Sequence, residues 1–200
     1  MGRPKEVTDE ALVATARRLF LQRGVGVSAA EIGREAGVSH TTLFNRFGSK
    51  DGLLLAALGP PAEVPWIRTL EGGPDERPIR EQLVEHGQII AAFFRELHAG
   101  LSMLRCAGVD PDRALHTCSG TSAPERAYAA LVAWIERAQQ AGRLADCDAN
   151  TLSATILGAL QGRATSQQVC GVQQAADEAA YVRQLVDLLW VGIGVDADGS

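Results

Sequence analysis

The chain has 200 residues, 46% hydrophobic and 22% charged, with 19 Lys and Arg against 24 Asp and Glu for a net charge of −5. That apolar content excludes a disordered chain, and this length can bury a sizeable core without metal or disulfide staples. The longest unbroken apolar run, Ala127–Ile135, has nine residues, where a membrane-spanning helix needs about 20, so no crossing of a bilayer is expected.

The first residues, Met1–Val7, carry no apolar core behind their basic side chains, so no signal peptide is expected and the cytoplasm is the default compartment. The four cysteines, at 106, 118, 147 and 170, have neither CxxC spacing nor a histidine at ligand spacing. No metal site and no cofactor is expected, and the thiols read as buried small hydrophobes. Residues 1–58 hold eight basic and six acidic side chains, whereas the remainder holds 11 basic and 18 acidic. A basic end on an acidic chain points to a polyanion met by that end alone, or to ordinary scatter.

Good helix formers dominate, no alternating β-branched stretch occurs, and glycine or proline breaks recur, which predicts an all-α chain of about nine helices. Thr8 caps a first helix over Asp9–Arg23, whose Leu12, Ala16, Leu19 and Phe20 form one buried stripe. Ser28 and Glu31 form a capping box for a short helix over Ala29–Ala36, with Gly37 as its left-handed cap. Val38 packs inward, and Ser39 caps a third helix over His40–Phe47 with Leu43 and Phe47 on its buried side. Helix, short glycine-containing turn and helix make the helix-turn-helix pattern, within residues 28–47. The outward residues His40, Thr41, Thr42, Phe44, Asn45 and Arg46 would then project into a major groove, although similar αα-corners occur in proteins that bind no nucleic acid. Ser49 caps a fourth helix running from Lys50 to Leu58. Lys50 stands where it meets either phosphate or solvent.

The stretch Ala11–Leu54 resembles the DNA-binding domain of the tetracycline-repressor-like (TetR) family of bacterial regulators. The resemblance rests on Leu19-Phe20, Gly24, Ser28, Ile32, Ala36-Gly37-Val38-Ser39, Thr42-Leu43-Phe44, Phe47, and Ser49-Lys50 before Leu53-Leu54. It implies DNA contacts from Ser28, Ser39, His40, Thr41, Thr42, Phe44, Asn45, Arg46 and Lys50. Thr41 stands where the family often has glycine, and Gly52 where it often has glutamate. Phe44 replaces the common tyrosine and lacks its phosphate-contacting hydroxyl. Arg46, in place of histidine or tyrosine, would supply the lost contact.

The proline-rich stretch Gly59–Pro78 divides a DNA-binding domain over residues 5–60 from a second domain over 66–195. In the second domain Gln82–Leu104 reads as one or two helices, with Gly100 as a candidate break. Pro124–Gln140, Ala149–Val169 and Asp177–Val191 read as single helices. Phe93, Phe94, Leu97, Leu101, Met103 and Trp134 either line a pocket for a largely apolar small-molecule effector or are plain core. The last two helices are more apolar than one stripe requires, and the resemblance implies a homodimer through them, with Leu152, Ile156, Leu160, Val182, Leu185 and Leu189 at the interface. His86, His98 and His116 are scattered, and no nucleophile elbow or phosphate loop is visible, so no catalysis is expected. The expected function is a ligand-responsive regulator, a repressor, that binds a palindromic double-stranded DNA operator. The alternative is a DNA-binding regulator whose second domain receives a partner protein.

Overall fold

A computed structural model of the chain describes residues 7–61, 63–111, 123–170 and 177–193. His116, Cys118 and the C-terminal tail from Asp196 lie outside them, as does the side chain of Cys170. All regular structure among the described residues is helical: α1 (Asp9–Arg23), α2 (Ala29–Ala36), α3 (His40–Phe47), α4 (Lys50–Leu58), α5 (Ile67–Glu71), α6 (Ile79–Cys106), α7 (Ala123–Gln140), α8 (Ala149–Cys170) and α9 (Glu178–Ile193). None of these helices is long and apolar enough to cross a membrane. The chain divides into two compact units, one built on residues 7–61 with 99–111 and the other on 63–98, 123–170 and 177–193.

In the first unit the caps form as their residues demand. The Thr8 hydroxyl accepts from the Ala11 amide at 3.3 Å, and the Ser49 hydroxyl from the Gly52 amide at 3.0 Å. Leu12, Ala16, Leu19 and Phe20 of α1 are buried with Ile32, Leu43, Leu53, Leu54, Ala57 and Leu58. The same core takes Leu104 and Val109, with Leu101 and Met103 packed against it. Gly100 does not break α6. A Cβ at that position would lie 2.5 Å from the Leu58 carbonyl oxygen, so glycine serves the close approach of α6 to the end of α4.

The second unit buries Val64, Trp66 and Leu70 around α5 with Ile79, Leu83, Ile90 and Ala91 of α6. From the later helices it buries Leu131, Trp134 and Ile135 of α7, Leu152, Ile156 and Leu160 of α8, and Val182 and Val186 of α9. The helix α5, inside the stretch read as a boundary, forms because Trp66 and Leu70 sit one turn apart on the core side. The loop after it is held by buried Gln82. The Gln82 Nε2 donates to the carbonyls of Asp75 (3.1 Å) and Arg77 (2.5 Å), and its Oε1 accepts from the Asp75 amide (2.9 Å). The Asp75 carboxylate is held below its usual range by donors from Arg77.

Three expectations need correction. The six residues read as one pocket are divided by packing: Leu101 and Met103 pack against the first core, Trp134 lies in the second core with Phe93 and Phe94 packed against it, and half-buried Leu97 belongs to neither. The interface residues Leu152, Ile156, Leu160 and Val182 are buried inside their own unit, with Leu185 and Leu189 packed beside them. An apolar helix covered by its own unit has no need of a partner there. What stays open is Leu188, 75% exposed, and Val191, 91% exposed, on α9, and open space above Gly158 and Gly162 on α8. Cys106 is exposed on the last turn of α6 rather than buried, and Cys147 is half-buried, its thiol pushed up by burial and by Asp146 and Asp148.

His86 of α6 is buried in the second unit, with its ring edge-on to Trp134 at 5.1 Å between centroids. Burial pushes its imidazole below the ordinary value, and Arg77 adds to this while Glu85 and Asp75 oppose it.

Two outcomes follow from this packing. Gly100→Ala gains about 1 kcal/mol of helix propensity but forces a methyl into the Leu58 carbonyl, an overpacking cost of about 1–3 kcal/mol. Urea unfolding should therefore show a net loss, and a variant as stable as the parent would contradict the close approach. For His86, the unfolded chain binds a proton below about pH 6.5 while the folded chain resists. The stability His86 confers is thus complete above that pH and falls as pH drops toward the depressed folded value, by at most about 1.4 kcal/mol per pH unit. Urea midpoints between pH 7 and 5 should fall less steeply in His86→Leu than in the parent.

Candidate nucleic-acid interface

The candidate interface is built from α2, α3 and the start of α4. Ser28 and Glu31 cap α2 reciprocally: the Ser28 hydroxyl accepts from the Glu31 amide at 3.2 Å, and Glu31 Oε2 accepts from the Ser28 amide at 2.9 Å and hydroxyl at 2.7 Å. These donors hold the Glu31 carboxyl below its usual range, with smaller help from Arg23 and Arg34. The helix ends at Gly37, whose φ of 73° places it in the left-handed region. The Val38 amide then returns to the Gly33 carbonyl at 2.8 Å. A Cβ on Gly33 would lie 2.8 Å from the Val38 carbonyl oxygen, so the turn comes this close only over glycine.

That turn delivers Ser39, whose hydroxyl accepts from the Thr42 amide at 3.1 Å and starts α3. Leu43 is buried in the first core and Phe47 packs against it, which seats α3 along one side. His40, Thr41, Phe44 and Asn45 are left exposed. Thr42 is half-buried, with its hydroxyl 2.9 Å from that of Ser39. The outward surface of α3 thus offers an imidazole, a hydroxyl, an amide and a bare aromatic ring, with no carboxylate among them.

Arg46 is committed within the chain. Its Nη1 donates to the Val7 carbonyl at 2.6 Å and to Asp9 Oδ1 at 2.9 Å, tying the end of α3 to the start of α1. Asp9 is distant in sequence, so no local pattern announces the pair. Lys50 opens α4 and makes no ion pair among the described residues. Its ammonium and the first amides of α4 together suit a phosphate. Gly52 explains itself in this turn: a Cβ there would lie 2.1 Å from the Phe47 carbonyl oxygen, leaving no place for a glutamate. Ser28 and Ser39 have their hydroxyls engaged as caps, so their first role is to set the helices. Among the described residues no three His, Cys, Asp or Glu side chains gather as a metal site.

Residues 12–57 match the family described as "Bacterial regulatory proteins, tetR family". The chain is 35% identical over 85 residues to the HTH-type transcriptional repressor BdcR of Escherichia coli (strain K12), a match spanning 42% of this chain and 43% of that protein. Its fold is similar to that of the TetR transcriptional regulator SCO0520 from Streptomyces coelicolor, with a TM-score of 0.60, 23% identity, and coverage of 95% of this chain and 100% of that one. It is also similar to SmeT in its complex with triclosan, with a TM-score of 0.56, 16% identity, and coverage of 94% and 92%. The matched domain holds the two helices and the glycine turn described above, and the remaining helices follow the fold of these regulators. Residues 12–57 thus carry the DNA-binding domain of the tetR family of bacterial regulatory proteins.

Proposed function

We propose that the chain is a transcriptional repressor that binds a near-palindromic operator as a homodimer in the cytoplasm and is released by a small-molecule effector. The observation that carries this reading is the seating of α3. Leu43 and Phe47 hold one side in the core, and His40, Thr41, Phe44 and Asn45 stand clear on the other. In this reading His40 and Thr41, in the first turn, meet base edges, while Lys50 anchors a phosphate. The repressor BdcR and the matched family support the regulatory role.

The homodimer uses the open face of α8 and α9. Leu188 and Val191 are the large apolar side chains left exposed there, and Gly158 and Gly162 allow a second backbone to come close. The effector is a largely apolar molecule held in the second unit, a reading supported by SmeT, a protein of similar fold that forms a complex with triclosan. It releases the operator only to the extent that it prefers the form whose α3 helices no longer match the grooves.

Selection of bound sequences from random duplexes, followed by footprinting, tests the reading. Two half-sites about 34–36 Å apart are expected, and a single unrepeated half-site protected by a monomer would overturn it. Lys50→Ala should weaken all duplexes alike and lower the salt slope by about one unit. His40→Ala and Thr41→Ala should instead relax preference at particular base pairs by about 1–3 kcal/mol, with the salt slope little changed. For the dimer, Leu188→Glu combined with Val191→Glu should yield folded monomers with weakened operator binding in sedimentation and anisotropy measurements. A stable dimer of that variant would place the interface elsewhere. For the effector, native mass spectrometry of gently purified protein should show a retained organic ligand whose removal strengthens operator binding.

A further inference from the structure

Among the described residues Phe44 is not part of the first unit's apolar core. On the helix α3, Leu43 and Phe47 pack into the first core, yet Phe44 belongs neither to that core nor to the apolar side chains packed against it. It remains 38% exposed, on the same outward surface as His40, Thr41 and Asn45. Among the described residues its ring contact is with His40, one helical turn earlier, with centroids 5.3 Å apart and planes at 75°. That edge-on contact restricts the phenyl ring and keeps it at the surface. Phenylalanine has no hydroxyl, so it can take neither a phosphate oxygen nor the polar atoms of a base edge. In the major groove the apolar group on a base edge is the C5 methyl of thymine.

Resting on the reading that α3 enters the major groove, we propose that Phe44, positioned by His40, is a specificity-determining residue that selects thymine in each half-site through its C5 methyl. The contact is dispersive and apolar, of the order of one buried methyl group. It adds base preference without adding dependence on salt, in contrast to Lys50.

Single thymines of the selected duplex are replaced by deoxyuridine, which removes the methyl and leaves the pairing intact, and affinities are measured by fluorescence anisotropy at fixed salt. One position in each half-site should lose roughly fourfold on replacement, the equivalent of about 0.8 kcal/mol for one buried carbon. Replacing both symmetry-related thymines should multiply the two losses. Phe44→Ala should bind more weakly and no longer distinguish thymine from deoxyuridine at that position, while Phe44→Leu, still apolar, should retain part of the distinction. Because Phe44 lies outside the core, both variants should melt like the parent. His40→Ala should reduce the thymine-to-deoxyuridine ratio, and an unchanged ratio would remove the positioning role. If deoxyuridine is silent at every thymine, or if Phe44→Ala keeps the parent's ratio, the proposal is overturned while the operator reading stands. If the selection enriches no sequence at all, both are overturned together.

Discussion

The first unit depends on one close approach of backbone to backbone. Gly33 of α2 faces the carbonyl of Val38 across a gap that no side chain fits, and Gly37 turns the chain with a positive φ between them. The two glycines let α2 and α3 meet in so few residues that Ser39 falls at once into its capping position. Everything useful about α3 follows from that placement. Eight residues cannot hold a helix in water alone, so α3 exists because Leu43 and Phe47 are carried by the core that α1, α2 and α4 build.

The polar contacts around this frame orient it more than they stabilise it. The Arg18–Glu35 pair at 2.8 Å is half-exposed on both sides, and such pairs contribute on the order of 0–1 kcal/mol. The Arg46–Asp9 pair is better sheltered on its arginine side and also takes the Val7 carbonyl, so it fixes the start of α1 against α3. The cost is functional: a guanidinium held by two oxygens of its own chain is withdrawn from the set of cations that face outward. Lys50, at the start of α4, is not drawn into such a pair among the described residues. The small surplus of basic charge in this part of the chain therefore matters through its placement.

The second unit is organised by buried apolar contacts and by one buried amide. Gln82 uses both ends of its side chain on the loop between α5 and α6, which folds that loop down without leaving an orphaned donor or acceptor there. The last helix is held by Val182 and Val186 in the core, and ion pairs from Arg80 to Asp187 and from Arg95 to Glu178 flank it. A Cβ on Gly87 would lie 2.7 Å from a methyl of Val182, so glycine again marks a place where helices come together. This inward packing of α9 leaves Leu188 and Val191 as its open apolar side.

The sequence by itself determined the helices whose ends are written locally. Thr8, Ser28, Ser39 and Ser49 cap residues three positions away, and α1 to α4 begin and end where those caps and the glycines after them demand. The buried stripe of α1 and the inward turn of Leu43 and Phe47 were legible for the same reason, since helical periodicity needs no knowledge of the partner. Tertiary structure decided what depends on residues far apart in the chain. Gly100 reads as a break until Leu58 lies against it, and α5 hides among prolines until Trp66 and Leu70 find a core. Arg46 reads as a free cation until Asp9 and Val7 come alongside. Leu152, Ile156, Leu160 and Val182 read as an interface because an apolar helix must be covered, but only the packed unit shows that its own core covers them. Periodicity identifies which side of a helix is buried, and only the assembled neighbours determine against what.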